Sequence, residues 1–230
     1  MNDTVPPSRA AILLVQLGTP DKPEVPEVRR YLREFLSDRR VVEQSPLIWW
    51  PILYSVGLTR RPKESAEKYR SIWTKAGSPL LVNTKLVAEA LQDELNKRGR
   101  QVEVVWAMRY GNPSMVDALR DLRDRGFSRI VVLPMYPQYS AATSGTVFDV
   151  IAREFLQWRS IPALRFLQSF HDDPGYIAAV TESIRHFWRQ SEAGKPEKLI
   201  FSFHGLPQSC VDQGDPYVKQ CQESAALIAA

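Results

Sequence analysis

Cysteine is scarce in this chain: Cys210 and Cys221 are the two in 230 residues, and they form no C-x-x-C pair. That excludes a disulfide scaffold and fits free thiols in a reducing compartment. Long hydrophobic runs are missing as well. The longest, from Leu47 to Leu58 (LIWWPILYSVGL), is broken by Pro51 and at about twelve residues falls short of the roughly 20 that cross a bilayer. Residues 1–9 carry neither the basic n-region nor the apolar h-region of a secretory leader, so a cytoplasmic location is expected. Thirty Lys and Arg against 26 Asp and Glu leave a net charge of +4, with no dense basic block. A nucleic-acid stripe is thereby excluded, while weak attraction to anionic lipid headgroups or carboxylate-bearing small molecules remains open. There is no internal repeat, no low-complexity segment, and nothing that defines an oligomeric state.

What is present reads as an ordinary globular chain, 44% hydrophobic and 24% charged. At about 150 residues per domain the length corresponds to roughly 1.5 domains. Short runs that are apolar on both faces occur at residues 11–17 (AILLVQL), 102–108 (VEVVWAM), 129–134 (RIVVLP), 163–167 and 199–204 (LIFSFH). Strands buried on both sides belong to parallel sheets. Between them lie amphipathic helices at 24–36 and 80–98, the latter stopping at Gly99. A third is opened by Ser114 with Asp117 three residues on and stops at Gly126; a fourth starts at Thr143 or Ser144. A fifth has Asp173 as N-cap and turns Ile177, Val180, Ile184 and Phe187 inward. Sustained β/α alternation predicts an α/β fold with doubly wound parallel sheets. The first domain is placed at residues 1–170, including an apolar segment at 45–60. Residues 171–230 begin a second domain that is incomplete, since the chain stops in mid-helix at Leu227, Ile228, Ala229 and Ala230.

In a doubly wound fold the functional groups lie where strands end. The first run leads into Gly18, Thr19 and Pro20, the second into Arg109 and Tyr110, the third into Tyr136 through Ser140, and the last delivers His204 and Gly205. One cation, aromatic faces, hydroxyls and an imidazole suit a flat, mostly apolar ligand carrying a few carboxylates. A dinucleotide is not suited, because a Rossmann phosphate loop needs G-x-G-x-x-G and the first loop has only Gly18.

Seven segments follow one another in a recognisable order. They are residues 13–20 (LLVQLGTP), Arg60-Arg61-Pro62 ahead of Tyr69 and Gly77-Ser78-Pro79, Met108-Arg109-Tyr110, residues 136–140 (YPQYS) with 143–145, 203–207 (FHGLP), and 214–217 (GDPY). This order resembles the ferrochelatases, which insert ferrous iron into a porphyrin at the last steps of haem synthesis. The resemblance implies two similar Rossmann-like chelatase domains with the porphyrin in the cleft between them. It implies Fe2+ and protoporphyrin IX as substrates. It places the catalytic, metal-proximal histidine on His204, as proton acceptor, iron ligand or both. Porphyrin-contacting positions fall on Arg109, Tyr110, Tyr139 and Ser140, with Arg60, Arg61 and Ser78 at the propionate end. Residues 47–58 correspond to an apolar lip that touches porphyrin and a membrane surface. Some members bind an iron-sulfur cluster; clusters usually need four ligands, so none is expected from two cysteines. A glutamate that faces the histidine in the family falls beyond the matched residues.

Each position also has a structural reading. His204 would be a satisfied strand-end histidine, Arg109 an interdomain ion pair, Tyr110 and Tyr139 core aromatics. The arginine pair would flank a helix start, and the apolar run would pack into the core. His171 and His186 have no partner at metal-ligand spacing and read as structural. Two other functions compete: a porphyrin-binding module or fragment without turnover, and a chelatase for coproporphyrin or cobalt.

Overall fold

The computed structural model describes residues 9–191 and 196–230; the segment read above for a leader lies, apart from Arg9, outside them. The described residues form two compact units, one running to Met135 and including Gly145–Leu167, the other made of Tyr136–Ser144 and Gln168–Ala230.

The first unit is built on β1 (Arg9–Thr19). Four helices, α1 (Val25–Leu36), α2 (Pro46–Ile52), α3 (Arg61–Ile72) and α4 (Pro79–Lys97), separate it from β2 (Val102–Gly111). Helix α5 (Met115–Asp124) leads to β3 (Phe127–Pro134), and α6 (Thr146–Phe155) to β4 (Ala163–Phe166). All pairings are parallel and the strand order is β2-β1-β3-β4. In register, Leu13 lies between Val105 and Val132. Leu13, Leu14 and Val15 are at most 1% exposed in succession, so β1 is covered on both faces as a central parallel strand must be. The edge strand β4 departs from that expectation: its residues alternate between exposed and half-buried, because an edge has a neighbour on one side only. The chain moves from β1 to β2 and then crosses back to β3. The strand order therefore reverses between β1 and β3, which makes their carboxyl ends the place where such folds hold ligands.

Local chemistry explains the helix boundaries. Ser114 Oγ accepts from the amide of Asp117, 3.1 Å away, and opens α5. Met115, Leu119 and Leu122 then bury its apolar stripe. At the end of α4, Gly99 takes φ +65°. Its amide donates to the Asn96 carbonyl and that of Arg100 to the Leu95 carbonyl, the paired bonds of a Schellman stop.

The second unit contains α7 (Pro174–Gln190), α8 (Gln208–Asp212) and α9 (Tyr217–Ala229). Asp173 caps α7 by accepting from the amides of Gly175 and Tyr176. The fifth strand expected at 199–204 does not form, and Ile200 is 85% exposed. Among the described residues this unit offers no strand to pair with, and an isolated strand leaves its backbone without a ladder. The same lack of a sheet leaves the apolar stripe of α7 only partly covered: Ile177, Val180 and Ile184 are half-buried and Phe187 is exposed.

Candidate active site

At the carboxyl ends of β1 and β2 the chains approach so closely that a side chain is excluded. Gly18 has φ +116°, and a Cβ there would sit 1.8 Å from the Tyr110 carbonyl oxygen. Beside it the hydroxyl of Thr19 donates to Ser78 Oγ over 2.9 Å, and both residues are buried. Ser78 precedes α4 without capping it; its hydroxyl is turned to Thr19 instead.

Arg109 and Tyr110 are sequestered. The Arg109 guanidinium pairs with Asp38, while its Nε donates to the Thr146 carbonyl over 3.0 Å. The Tyr110 hydroxyl donates to the same Asp38 oxygen at 2.9 Å. The Arg109 guanidinium also lies 4.2 Å from the Tyr110 ring centroid, and Phe35 meets that ring edge-on. Burial pushes the phenol well above its ordinary pKa, with Asp38 adding to the rise and the Arg109 charge opposing it. The structure thus places Arg109 in an ion pair and Tyr110 in the core, 1% exposed, with neither group open to a ligand.

Arg60 and Arg61 differ sharply. They flank the start of α3, are exposed, and have no side-chain partner among the described residues. Just before them, α2 runs into a five-residue π-turn, Leu53–Gly57. Trp49 donates from its indole to the Leu36 carbonyl over 2.7 Å, whereas Trp50 is exposed and lies beside Tyr54. Leu47, Ile48, Ile52, Tyr54 and Val56 are exposed too, so core packing accounts only for Leu53 and Leu58 in this segment.

In the second unit, Ser140 is buried and gives its hydroxyl to Asp215 over 2.9 Å. The amide of Tyr139 donates to Gln220 Oε1, leaving its half-buried side chain free of hydrogen bonds among the described residues. His204 is exposed, and its Nδ1 lies 2.7 Å from the Gly205 carbonyl oxygen. A carbonyl can only accept, so in the neutral ring Nδ1 carries the proton and the lone pair falls on Nε2. The Tyr217 phenol is pushed upward mainly by burial, with a Cys221 hydrogen bond adding and the His204 backbone opposing. His171 is buried, with Nε2 2.9 Å from Glu223, and His186 is exposed on α7. Cys221 is buried and Cys210 half-buried, both as free thiols. Among the described residues no three His, Cys, Asp or Glu side chains gather as a metal cage.

Three polar residues that hold these groups were not read from the sequence. Asp38 is an isolated loop acid, 71 residues from Arg109, with no local signal. Asp215 and Gln220 do carry one, since they lie in and just after the 214–217 motif.

The first unit is a parallel α/β sheet of the kind that holds ligands at its strand ends, and the second unit carries an exposed imidazole, His204, on a loop. Comparison with known proteins makes this specific: the ferrochelatase family model matches residues 9–230, and the chain belongs to that family. A ferrochelatase of Methylococcus capsulatus is 53% identical over 222 residues, covering 96% of this chain and 66% of the relative. One from Aromatoleum aromaticum is 50% identical, covering 97% and 61%. Ferrochelatase 2 of Shewanella oneidensis is 48% identical, covering 96% and 67%. The chain therefore spans about two thirds of the length of the curated relatives it matches.

Proposed function

We propose that the whole protein inserts Fe2+ into protoporphyrin IX to give protohaem, acting as a ferro-lyase with the metal ion and the porphyrin as substrates. In this reaction two pyrrole N–H bonds break and two protons leave; the electron pairs left on the nitrogens are shared with iron in new N–Fe bonds, and iron remains ferrous. The observation that carries the reading is the His204 ring: Nδ1–H is engaged by the Gly205 carbonyl, so Nε2 is presented as a base or ligand in solvent. Family membership and relatives named ferrochelatase support the same chemistry.

Roles divide according to what each side chain is free to do. Arg60 and Arg61, unpaired, supply the cations for propionates, and Tyr139 supplies an aromatic face. Ser78, Arg109 and Tyr110, each engaged within the first unit, and Ser140, engaged within the second, serve porphyrin binding by holding the chain around them in place. The exposed apolar segment 47–58 docks on a membrane surface, from which a poorly soluble porphyrin arrives. Residence in the cytoplasm at that surface, and a second domain beginning near residue 171, complete the proposal.

The test is anaerobic absorbance of protoporphyrin mixed with the chain and then with Fe2+, beside His204→Ala. Collapse of the free-base bands to a metalloporphyrin spectrum, lost in the variant, is expected of the complete protein. Insertion at an equal rate in the variant would overturn the role of His204, and absence of any porphyrin band shift would overturn the family reading of the site.

A further inference from the structure

Three consecutive residues of the loop after β3 are held by one short stretch of chain. The amide of Tyr139 donates to Gln220 Oε1 at 2.7 Å, the Ser140 hydroxyl to Asp215 Oδ2 at 2.9 Å, and the amide of Ala141 to that same oxygen at 2.8 Å. Asp215 Oδ1 in turn accepts from the amide of Tyr217 at 3.0 Å, which fixes the turn that starts α9. One turn of helix later, Gln138 Nε2 donates to Ser224 Oγ, and that hydroxyl donates to the His171 carbonyl. The carboxylate of Asp215 is half-buried, and neither a lysine nor an arginine is paired with it among the described residues. Its charge is spent on three neutral donors, an arrangement that resists reorganisation because any shift of the loop breaks charge-assisted bonds.

We propose that Asp215, assisted by Gln220, is a positioning residue of the porphyrin site: it sets the Tyr139–Ala141 loop from the turn that starts α9. This rests on the proposed porphyrin chemistry and deepens it. A carboxylate is required rather than an amide. Three donors converge on it, and asparagine offers one oxygen and one NH2, so at least one donor would face another donor. Ser140 then acts through Asp215, and its hydroxyl has no direct share in binding the ligand.

The experiment is fluorescence titration of the chain with protoporphyrin IX, for wild type, Asp215→Asn, Ser140→Ala, the double variant and Gln220→Met, with thermal melts of each. The expected result is a Kd about tenfold weaker for Asp215→Asn, a smaller loss for Gln220→Met, and a double variant less impaired than the two single losses combined. Asp215→Glu, which keeps the acceptor set, should recover part of the affinity. If wild type binds and Asp215→Asn binds equally well despite a lower melting temperature, the residue is only structural and the proposal is overturned. Should Asp215→Asn fail to fold, Gln220→Met decides the matter, since it removes the single acceptor of the Tyr139 amide. No binding by wild type would instead overturn the porphyrin reading, and this inference with it.

Discussion

Asp38 binds Arg109 and Tyr110 together: a single carboxylate oxygen accepts from the guanidinium and from the phenol. Side-chain exposure is 8% for Arg109 and 12% for Asp38, so the pair is held away from water, where losing one partner is costly. Asp38→Ala leaves a buried guanidinium with only the Thr146 carbonyl, and a loss of about 3–5 kcal/mol is expected. Urea unfolding measures it. A loss under about 1 kcal/mol, the range of surface pairs, would mean that Arg109 swings out to solvent and is open to a ligand after all.

The same cluster makes stability sensitive to alkali. Burial holds the Tyr110 phenol above its ordinary value of about 10, so the folded chain keeps this proton more tightly than the unfolded one. Its contribution is complete below pH 10 and declines as pH rises beyond, because only the unfolded state then releases the proton. Tyr110→Phe loses the bond to Asp38 and should be the less stable protein at pH 8. Above pH 10 the gap to wild type should narrow; Tyr69 and Tyr217, also raised by burial, titrate in both proteins and cancel. Urea unfolding at pH 8 and pH 10.5 gives the comparison, and a gap that stays constant would disprove the linkage.

Much of this was legible in the sequence, and the reasons are local. Runs such as AILLVQL are aliphatic and apolar on both faces, so β1 and its parallel partners follow from the local pattern, and Ser114, Gly99 and Asp173 mark helix ends by chemistry that acts within four residues. What was not legible depends on partners far along the chain. The run LIFSFH has the pattern of a buried strand, yet a strand exists only where a ladder receives it. Arg109 and Tyr110 stand at a strand end in the expected order, but whether such a group faces ligand or core is decided by Asp38. Arg60 and Arg61 were read as ligand cations or as a helix start; they are a helix start with the cations left free.

That freedom separates two kinds of arginine. Arg60 and Arg61 are exposed and unpaired among the described residues, so replacing both with Gln should leave the melting temperature within about 2 °C, as for surface changes of ±0.5 kcal/mol. Porphyrin titration should nevertheless weaken by about tenfold, because a propionate loses its charge-assisted donors. Arg109→Gln should show the opposite signature, a lower melting temperature first. Unchanged porphyrin affinity in the Arg60/Arg61 double variant would remove both residues from the site.

The segment from Leu47 to Leu58 leaves Leu47, Ile48, Trp50, Ile52, Tyr54 and Val56 exposed, with Leu47 at 88%. Each such side chain gains about 1.5–3 kcal/mol on full burial, and no helix of the described residues is long and apolar enough to cross a membrane. Shallow insertion with the backbone hydrogen-bonded inside α2 and its π-turn satisfies both facts, since only side chains need enter the interface. The neighbouring cations of Arg60 and Arg61 would add about 1 kcal/mol each on an anionic leaflet. Flotation with phosphatidylcholine vesicles containing phosphatidylglycerol should therefore carry the chain upward, more weakly as salt rises. Ile48→Glu with Trp50→Glu should abolish flotation while leaving the circular dichroism spectrum unchanged, because neither side chain belongs to the core. A wild-type chain that stays at the bottom of the gradient would show that the apolar face is covered by protein, not lipid.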